Sequence, residues 1–225
     1  MPREHSLRMK TVTDAAERAA RHALVENGRS LFERGYSCGT SGNLSVRLAD
    51  GSYLMSPTNV SLGRLDADQL SRLDADGRHV TGDAPTKEAW LHMAMYRSRP
   101  ADTAVVHLHS TYATALSCRT DRPADDMLPA ITPYVVMRVG RVALVEYSRP
   151  GDHSVAGEIE RRAVDHRAVL LANHGPVVAG RDLEGAVAAA EELEETCRLW
   201  FLLESRPHRT LTDAQVAELR RVFGH

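Results

Sequence analysis

Two histidines stand two residues apart in Val105-Val106-His107-Leu108-His109. On an extended strand alternate side chains share a face, so both imidazoles project to one side while Val106 and Leu108 project to the other. Two neutral imidazoles placed in this way can chelate a divalent cation at about 2.0–2.1 Å each. A strand that merely happens to carry two histidines reads the same way. A third ligand is on offer at His174, in Ala172-Asn173-His174-Gly175-Pro176, where the glycine lets a backbone crowd close to a site. The plainer account of that segment is a polar turn between two apolar strands. The other chemically loaded stretch is Pro85-Thr86-Lys87-Glu88. A helix starting there offers free N–H groups and a field that favours anions. The Thr86 hydroxyl and Lys87 ammonium add to it, and Glu88 falls in the first turn beside the same pocket. The alternative is a capped helix whose glutamate complements the dipole. Small residues and donors gather again in Ser41-Gly42-Asn43 and Pro57-Thr58-Asn59, with the character of loops that cradle phosphate. His22, His92, His166 and His208 are expected to be solvated or structural.

These groups need a scaffold, and the apolar pattern supplies one. Ala20, Leu24, Leu31 and Phe32 recur at helical spacing from Asp14, a candidate N-cap, to Arg34, with Gly35 as the stop. Alternation in Leu44, Val46 and Leu48, the turn Asp50-Gly51, and Tyr53-Leu54-Met55 make a hairpin. Leu70–Leu73 and His79–Thr81 flank a second turn at Asp76-Gly77. A helix runs from Pro85 through Met95, ending before Pro100. Thr103–His109 is a strand, Ser110–Cys118 a helix, and Val135–Val145 two short strands around Gly140. Asp152–Asp165 is an amphipathic helix with Val155, Ile159 and Val164 near one side. Ala168–Ala172 and Val177–Ala179 are apolar strands, Asp182 caps a helix reaching about Glu204, and Thr212-x-x-Gln215 opens a last helix. Hairpins interleaved with helices give an α/β layered fold whose sheet is at least partly antiparallel.

Composition removes several classes. The 28 basic and 30 acidic residues among 225 leave a net charge of −2, which does not suit a nucleic-acid footprint. Apolar runs are too short for a membrane span, and Met1-Pro2-Arg3-Glu4-His5 is followed by no apolar stretch of a secretory signal. Three cysteines, with no CxxC pair, fit a reducing compartment, so a cytoplasmic location is expected. Without a linker, a repeat or a low-complexity segment, residues 1–225 are read as one domain. Neither GxGxxG nor a Walker sequence supports nucleotide binding.

Taken together, Ser41-Gly42-Asn43-Leu44-Ser45-Val46-Arg47, Met55-Ser56-Pro57-Thr58-Asn59, Glu88, Val105-Val106-His107-Leu108-His109-Ser110 and Asn173-His174-Gly175 resemble the class II aldolase/adducin family from about Asp14 to Glu204. The resemblance implies a three-layer α/β/α sandwich with a mixed, largely antiparallel central sheet, and a homotetramer. It also implies a Zn2+ ion, with Co2+ or Mn2+ as alternatives, held by His107, His109 and His174, with Glu88 moving protons and able to ligate the metal. It places phosphate at Gly42, Asn43, Thr58, Asn59, Thr86 and Lys87. Thr86-Lys87-Glu88, Thr132-Pro133-Tyr134 and Val136-Met137-Arg138-Val139-Gly140 look most like the 3-oxo-tetronate 4-phosphate decarboxylases within that family. The expected substrate is then a phosphorylated four-carbon keto acid that loses CO2 to give dihydroxyacetone phosphate. Burial is expected to raise the Glu88 pKa towards the working range, so that a protonated Glu88 delivers the proton to C2. Tyr134 occupies the stretch comparable to the one from which aldolases draw a tyrosine proton donor in a neighbouring subunit. The alternative readings are a fuculose- or rhamnulose-phosphate aldolase and a non-catalytic adducin-like scaffold.

Overall fold

The computed structural model describes residues 2–149 and 151–223. Its centre is an eight-stranded sheet built from β1 (Asn43–Arg47), β2 (Tyr53–Met55), β3 (Ser71–Leu73), β4 (His79–Thr81), β5 (Ala104–His107), β6 (Val142–Val145), β7 (Ala168–Leu171) and β8 (Gly175–Gly180). The spatial order is β4-β3-β2-β1-β5-β8-β7-β6. Only the β6–β7 pair is parallel among the described strands, as the mixed, largely antiparallel expectation requires.

Helices cover both faces. On one side α1 (Pro2–Glu33), α3 (Thr111–Ser117), α4 (Pro133–Arg138) and α6 (Leu183–Leu203) pack Leu24, Leu31, Leu116, Val135 and Leu193 onto Leu44, Val106, Leu170 and Val178. On the other, α2 (Ala89–Ser98) and α5 (Ala156–Ala163) pack Leu91, Met95 and Ile159 onto Met55, Val105, Val169 and Val177. Strand periodicity divides β5 between the two cores: Ala104 and Val106 enter the first, Val105 the second. Each side chain fully buried in such a core contributes about 1.5–3 kcal/mol. The last helix, α7 (Asp213–Phe223), starts at the expected capping box. The Gln215 Oε1 accepts from the Thr212 N–H at 2.9 Å, and the Thr212 Oγ1 from the Gln215 N–H at 3.4 Å.

Four local expectations need correction. α1 passes through Asp14 and begins at Pro2, so Asp14 is not its N-cap; proline is well suited to a first helical position. The segment from Val135, read as two strands, is helix α4 followed by the single strand β6. Thr132 caps α4 by accepting from the Val135 N–H, Pro133 opens it, and Gly140 (φ 79°) ends it with its N–H on the Val135 carbonyl at 2.8 Å. Its valines look β-forming, but the cap and stop residues prevail. Third, β5 ends at His107, so His109 lies past the ladder. Fourth, His153–Val155 form a 3-10 turn capped by Asp152 ahead of α5, and Val164 is exposed rather than facing the core.

Candidate functional site

His107 closes β5, His109 follows it by two residues, and His174 occupies the turn between β7 and β8. Because β5 and β8 are antiparallel partners with His107 opposite Val177, that turn lies beside the end of β5. The backbone there is forced. Asn173 takes φ 57°, a left-handed conformation that asparagine tolerates better than most residues. Gly175 takes φ 155°, and a Cβ on it would lie 2.4 Å from the Leu108 carbonyl oxygen. Glycine therefore brings the His174 turn onto the segment carrying His109. On the far side, Glu194 of α6 accepts the N–H groups of Tyr112 and Ala113, both at 2.8 Å, and fixes α3 immediately after His109.

Glu88 arrives from α2. It holds the N-cap position, yet its side chain makes no capping hydrogen bond. Its place at the helix start still suits the dipole, but no capping bond ties the side chain there. Its carboxylate instead turns to the histidines, with Oε2 at 3.3 Å from His107 Nε2 and Oε1 at 3.2 Å from His174 Nε2. The Nε2 atom of His109 is 3.1 Å from that of His107 and 3.0 Å from that of His174. All four donor groups lie within 4.8 Å of one another. His107 Nδ1–H donates to the Pro176 carbonyl at 2.9 Å, which leaves Nε2 bare. Four donors around one tetrahedral ion at about 2.0–2.1 Å would sit roughly 3.3–3.4 Å apart. The separations found here match that to within a few tenths of an ångström. Three imidazoles and a carboxylate fit zinc, cobalt or manganese.

Electrostatics disfavour a proton on the two histidines at the end of β5. Burial, opposed by the Glu88 charge, pushes His107 down to about 3; burial and His174 lower His109. Burial alone would raise Glu88, as expected from sequence. Here the His174 hydrogen bond, the field of His107 and the Asn43 hydrogen bond outweigh it and hold the carboxyl well below its usual range. Glu88 is a carboxylate at rest.

Beside this cluster opens a cavity of about 290 Å³ lined by Thr40, Ser41, Gly42, Asn43, Pro57, Thr58, Asn59, Thr86, Lys87, Glu88, His109 and Gly151. All six residues that the resemblance assigns to phosphate therefore face one space. A bridge between Pro57 and Pro85, with the Thr58 N–H on the Ala84 carbonyl at 2.9 Å, draws two of the segments together. The Asn43 side chain is partly committed: Nδ2 donates to Glu88 Oε2 at 2.8 Å and Oδ1 accepts from His92. One amide hydrogen of Asn43 is left for a ligand. Tyr134 does not line the cavity; it stands 56% exposed on α4, under the Arg138 guanidinium. Thr40 and Gly151 were not singled out from sequence, nor was His92, which is fully buried behind Asn43.

Residues 22–201 match the model of the Class II Aldolase and Adducin N-terminal domain. The chain is 49% identical over 204 residues to a 3-oxo-tetronate 4-phosphate decarboxylase of Escherichia coli (strain K12), covering 91% of this chain and 96% of that one. An L-fuculose phosphate aldolase of Methanococcus maripaludis is 34% identical over 178 residues, 79% of this chain and 93% of that one. Among solved structures, YgbL from Escherichia coli, described as a putative aldolase/epimerase/decarboxylase, superposes with a TM-score of 0.89 at 48% identity, covering 91% and 99% of the two chains. By its family match, its relatives and its fold, the chain belongs to the class II aldolase and adducin N-terminal domain family.

Proposed function

We propose that the protein decarboxylates 3-oxo-tetronate 4-phosphate to dihydroxyacetone phosphate, with a divalent cation, zinc in this reading, on His107, His109, His174 and Glu88. The observation that carries the reading is the exposed Lys87 in the same cavity as Thr58, Asn59 and Thr86, next to the carboxylate–histidine cluster. A substrate with a carboxylate at one end and a phosphate at the other presents two anions, and the cavity offers hydroxyls, amides and an ammonium to hold them. The decarboxylase relatives, 41–49% identical over more than nine-tenths of this chain, support the same choice.

The substrate carries its carboxylate on C1, a hydroxyl on C2, a ketone on C3 and phosphate on C4. Breaking C1–C2 releases CO2 and leaves the electron pair conjugated from C2 to the C3 oxygen. A bound divalent cation supplies Lewis-acid stabilisation of that oxygen, several kcal/mol in such sites. Lys87, Thr86, Thr58 and Asn59 hold the substrate's anionic ends and so aim the C1–C2 bond at the cluster. Glu88 then gives C2 its proton. Since it rests ionised, it takes that proton from solvent during turnover and passes it on, so that one proton is consumed for each CO2 released.

The homotetramer and the cytoplasmic location belong to this proposal. Tyr134 faces outward on its own subunit, the position from which it would serve a neighbour's cavity as proton donor. Among the described residues no helix is long and apolar enough to cross a membrane. The deciding experiment incubates zinc-loaded protein with 3-oxo-tetronate 4-phosphate and with fuculose 1-phosphate, measuring CO2 and dihydroxyacetone phosphate. CO2 from the keto acid supports the proposal. Cleavage of the sugar phosphate with no CO2 from the keto acid establishes the aldolase instead. Neither activity, together with no retained metal, would mark a scaffold.

A further inference from the structure

We propose that Tyr96, Ser45, His92 and Asn43 form a hydrogen-bond relay, its direction set by the Glu88 carboxylate, that holds the Asn43 amide against Glu88 and makes His92 a positioning residue for the carboxylate. The inference rests on Glu88 being the proton carrier proposed above. Glu88, His92 and Tyr96 recur every four residues and so share one face of α2, while Asn43 and Ser45 share one face of β1. The two faces meet in a buried polar seam, in which Ser45 and His92 are fully buried and Tyr96 is 2% exposed.

The direction of every bond follows from its ends. A carboxylate only accepts, so Asn43 must offer Nδ2 to Glu88 Oε2. Its Oδ1 then faces His92 Nε2, which must carry the ring's proton. Burial keeps the ring neutral by pushing it down to about 4. Nδ1 is thereby bare and accepts from the Ser45 hydroxyl at 2.7 Å. Ser45 Oγ, its proton used, accepts from the Tyr96 hydroxyl at 2.8 Å. No donor or acceptor in the chain is left in conflict. Reversing it would aim the Asn43 oxygen at the Glu88 carboxylate. The carboxylate therefore sets one direction through the whole seam, and the seam holds the Asn43 amide against Oε2, leaving only its second Nδ2 hydrogen for the cavity.

The test reads the tautomer directly. In full-length zinc-loaded protein with 15N-labelled histidine, the ring signals lost in His92→Gln are those of His92. Long-range 1H–15N correlations are expected to show a protonated Nε2 and a bare Nδ1. A proton on Nδ1, or on both nitrogens at neutral pH, overturns the relay. Kinetics supply the second arm. His92→Leu removes the donor to Asn43 and is expected to lower kcat 10–100-fold, the usual range for residues that orient a metal site, with KM and zinc content unchanged. His92→Gln can donate to Asn43 and accept from Ser45, so it should recover most of that kcat. Unchanged kcat in His92→Leu, or no recovery in His92→Gln, rejects the positioning role. Should the leucine variant fail to fold, the tautomer and the glutamine variant decide. The tautomer needs no substrate, so an Nε2–H ring in a protein that releases no CO2 sinks the reaction and keeps the relay, while an Nδ1–H ring in an active decarboxylase does the reverse.

Discussion

Replacing Gly175 with alanine should damage both the fold and the metal site, through a contact that can be measured. The new Cβ would lie 2.4 Å from the Leu108 carbonyl oxygen, 3.3 Å from Thr114 Oγ1 and 3.4 Å from the His109 Cα. Ordinary van der Waals contact begins near 3.4 Å, so β8 and the segment after β5 must separate by about 1 Å. Overpacking of this kind costs about 1–3 kcal/mol, and a non-glycine residue at φ 155° adds roughly 1–3 kcal/mol more. At about 2–4 °C per kcal/mol for a chain of this size, melting should fall by roughly 4–24 °C. The same separation parts His109 from His174, and a 1 Å misplacement in an active site can cost about 100-fold in rate. Gly140→Ala is the control: its φ is 79° but no atom lies within 4 Å of the added carbon, so only about 1–2 kcal/mol of backbone strain is expected. Thermal unfolding of metal-free protein and zinc titration of both variants provide the assay. If Gly175→Ala melts with Gly140→Ala and binds zinc as the wild type does, the close approach does not position the histidines.

His109→Ala, which removes the imidazole bridging the other two, should lose metal and turnover together, whereas Glu88→Gln should retain metal and lose activity; metal analysis beside CO2 release separates the two, and activity in either counts against the assignment. Lys87→Ala should raise KM about tenfold, or 1.4 kcal/mol of uniform binding, with kcat little changed. Acid sensitivity should trace partly to His92, whose pKa falls from 6.5 to about 4 on folding. Below pH 6.5 the unfolded chain takes up a proton that the folded ring refuses. The stability this group contributes is complete above 6.5 and declines by about 1.4 kcal/mol per pH unit as pH falls to about 4. Urea midpoints between pH 7 and 4 should therefore drop more steeply for the wild type than for His92→Gln, by about 3 kcal/mol over the range; parallel slopes would refute the buried neutral ring.

Much of the site was legible because strand geometry has a simple period. The two-residue spacing of His107 and His109 places both rings on one side of β5 even though the ladder stops between them. His174 and Glu88 are different: nothing local says that a β7–β8 turn and the N-cap of α2 converge on that strand end, and family resemblance supplied the link. The direction of the Glu88 pKa is hidden for a related reason, since burial is foreseeable from one residue but the compensating His174, His107 and Asn43 belong to other segments. His92 reads locally as one more histidine in a helix, although Glu88, His92 and Tyr96 at four-residue intervals form a polar stripe on an otherwise apolar face. In the fold, the β-propensity of its valines masks α4, while Thr132-Pro133 and Gly140 carry the contrary signal.

The three rings differ in how firmly the chain grips them. His107 is the last residue of a strand hydrogen-bonded on both sides, to β1 and to β8, while His109 lies beyond the ladder and His174 rides on a tight turn. Local opening draws on turns and strand ends long before it reaches paired central strands. For a cation held as proposed, exchange would need only the outer two imidazoles to swing aside, with the sheet still closed around the innermost one. A centre built in this way would be loaded, emptied and refilled in the finished molecule, its occupancy following the free ion concentration around it rather than the moment of synthesis.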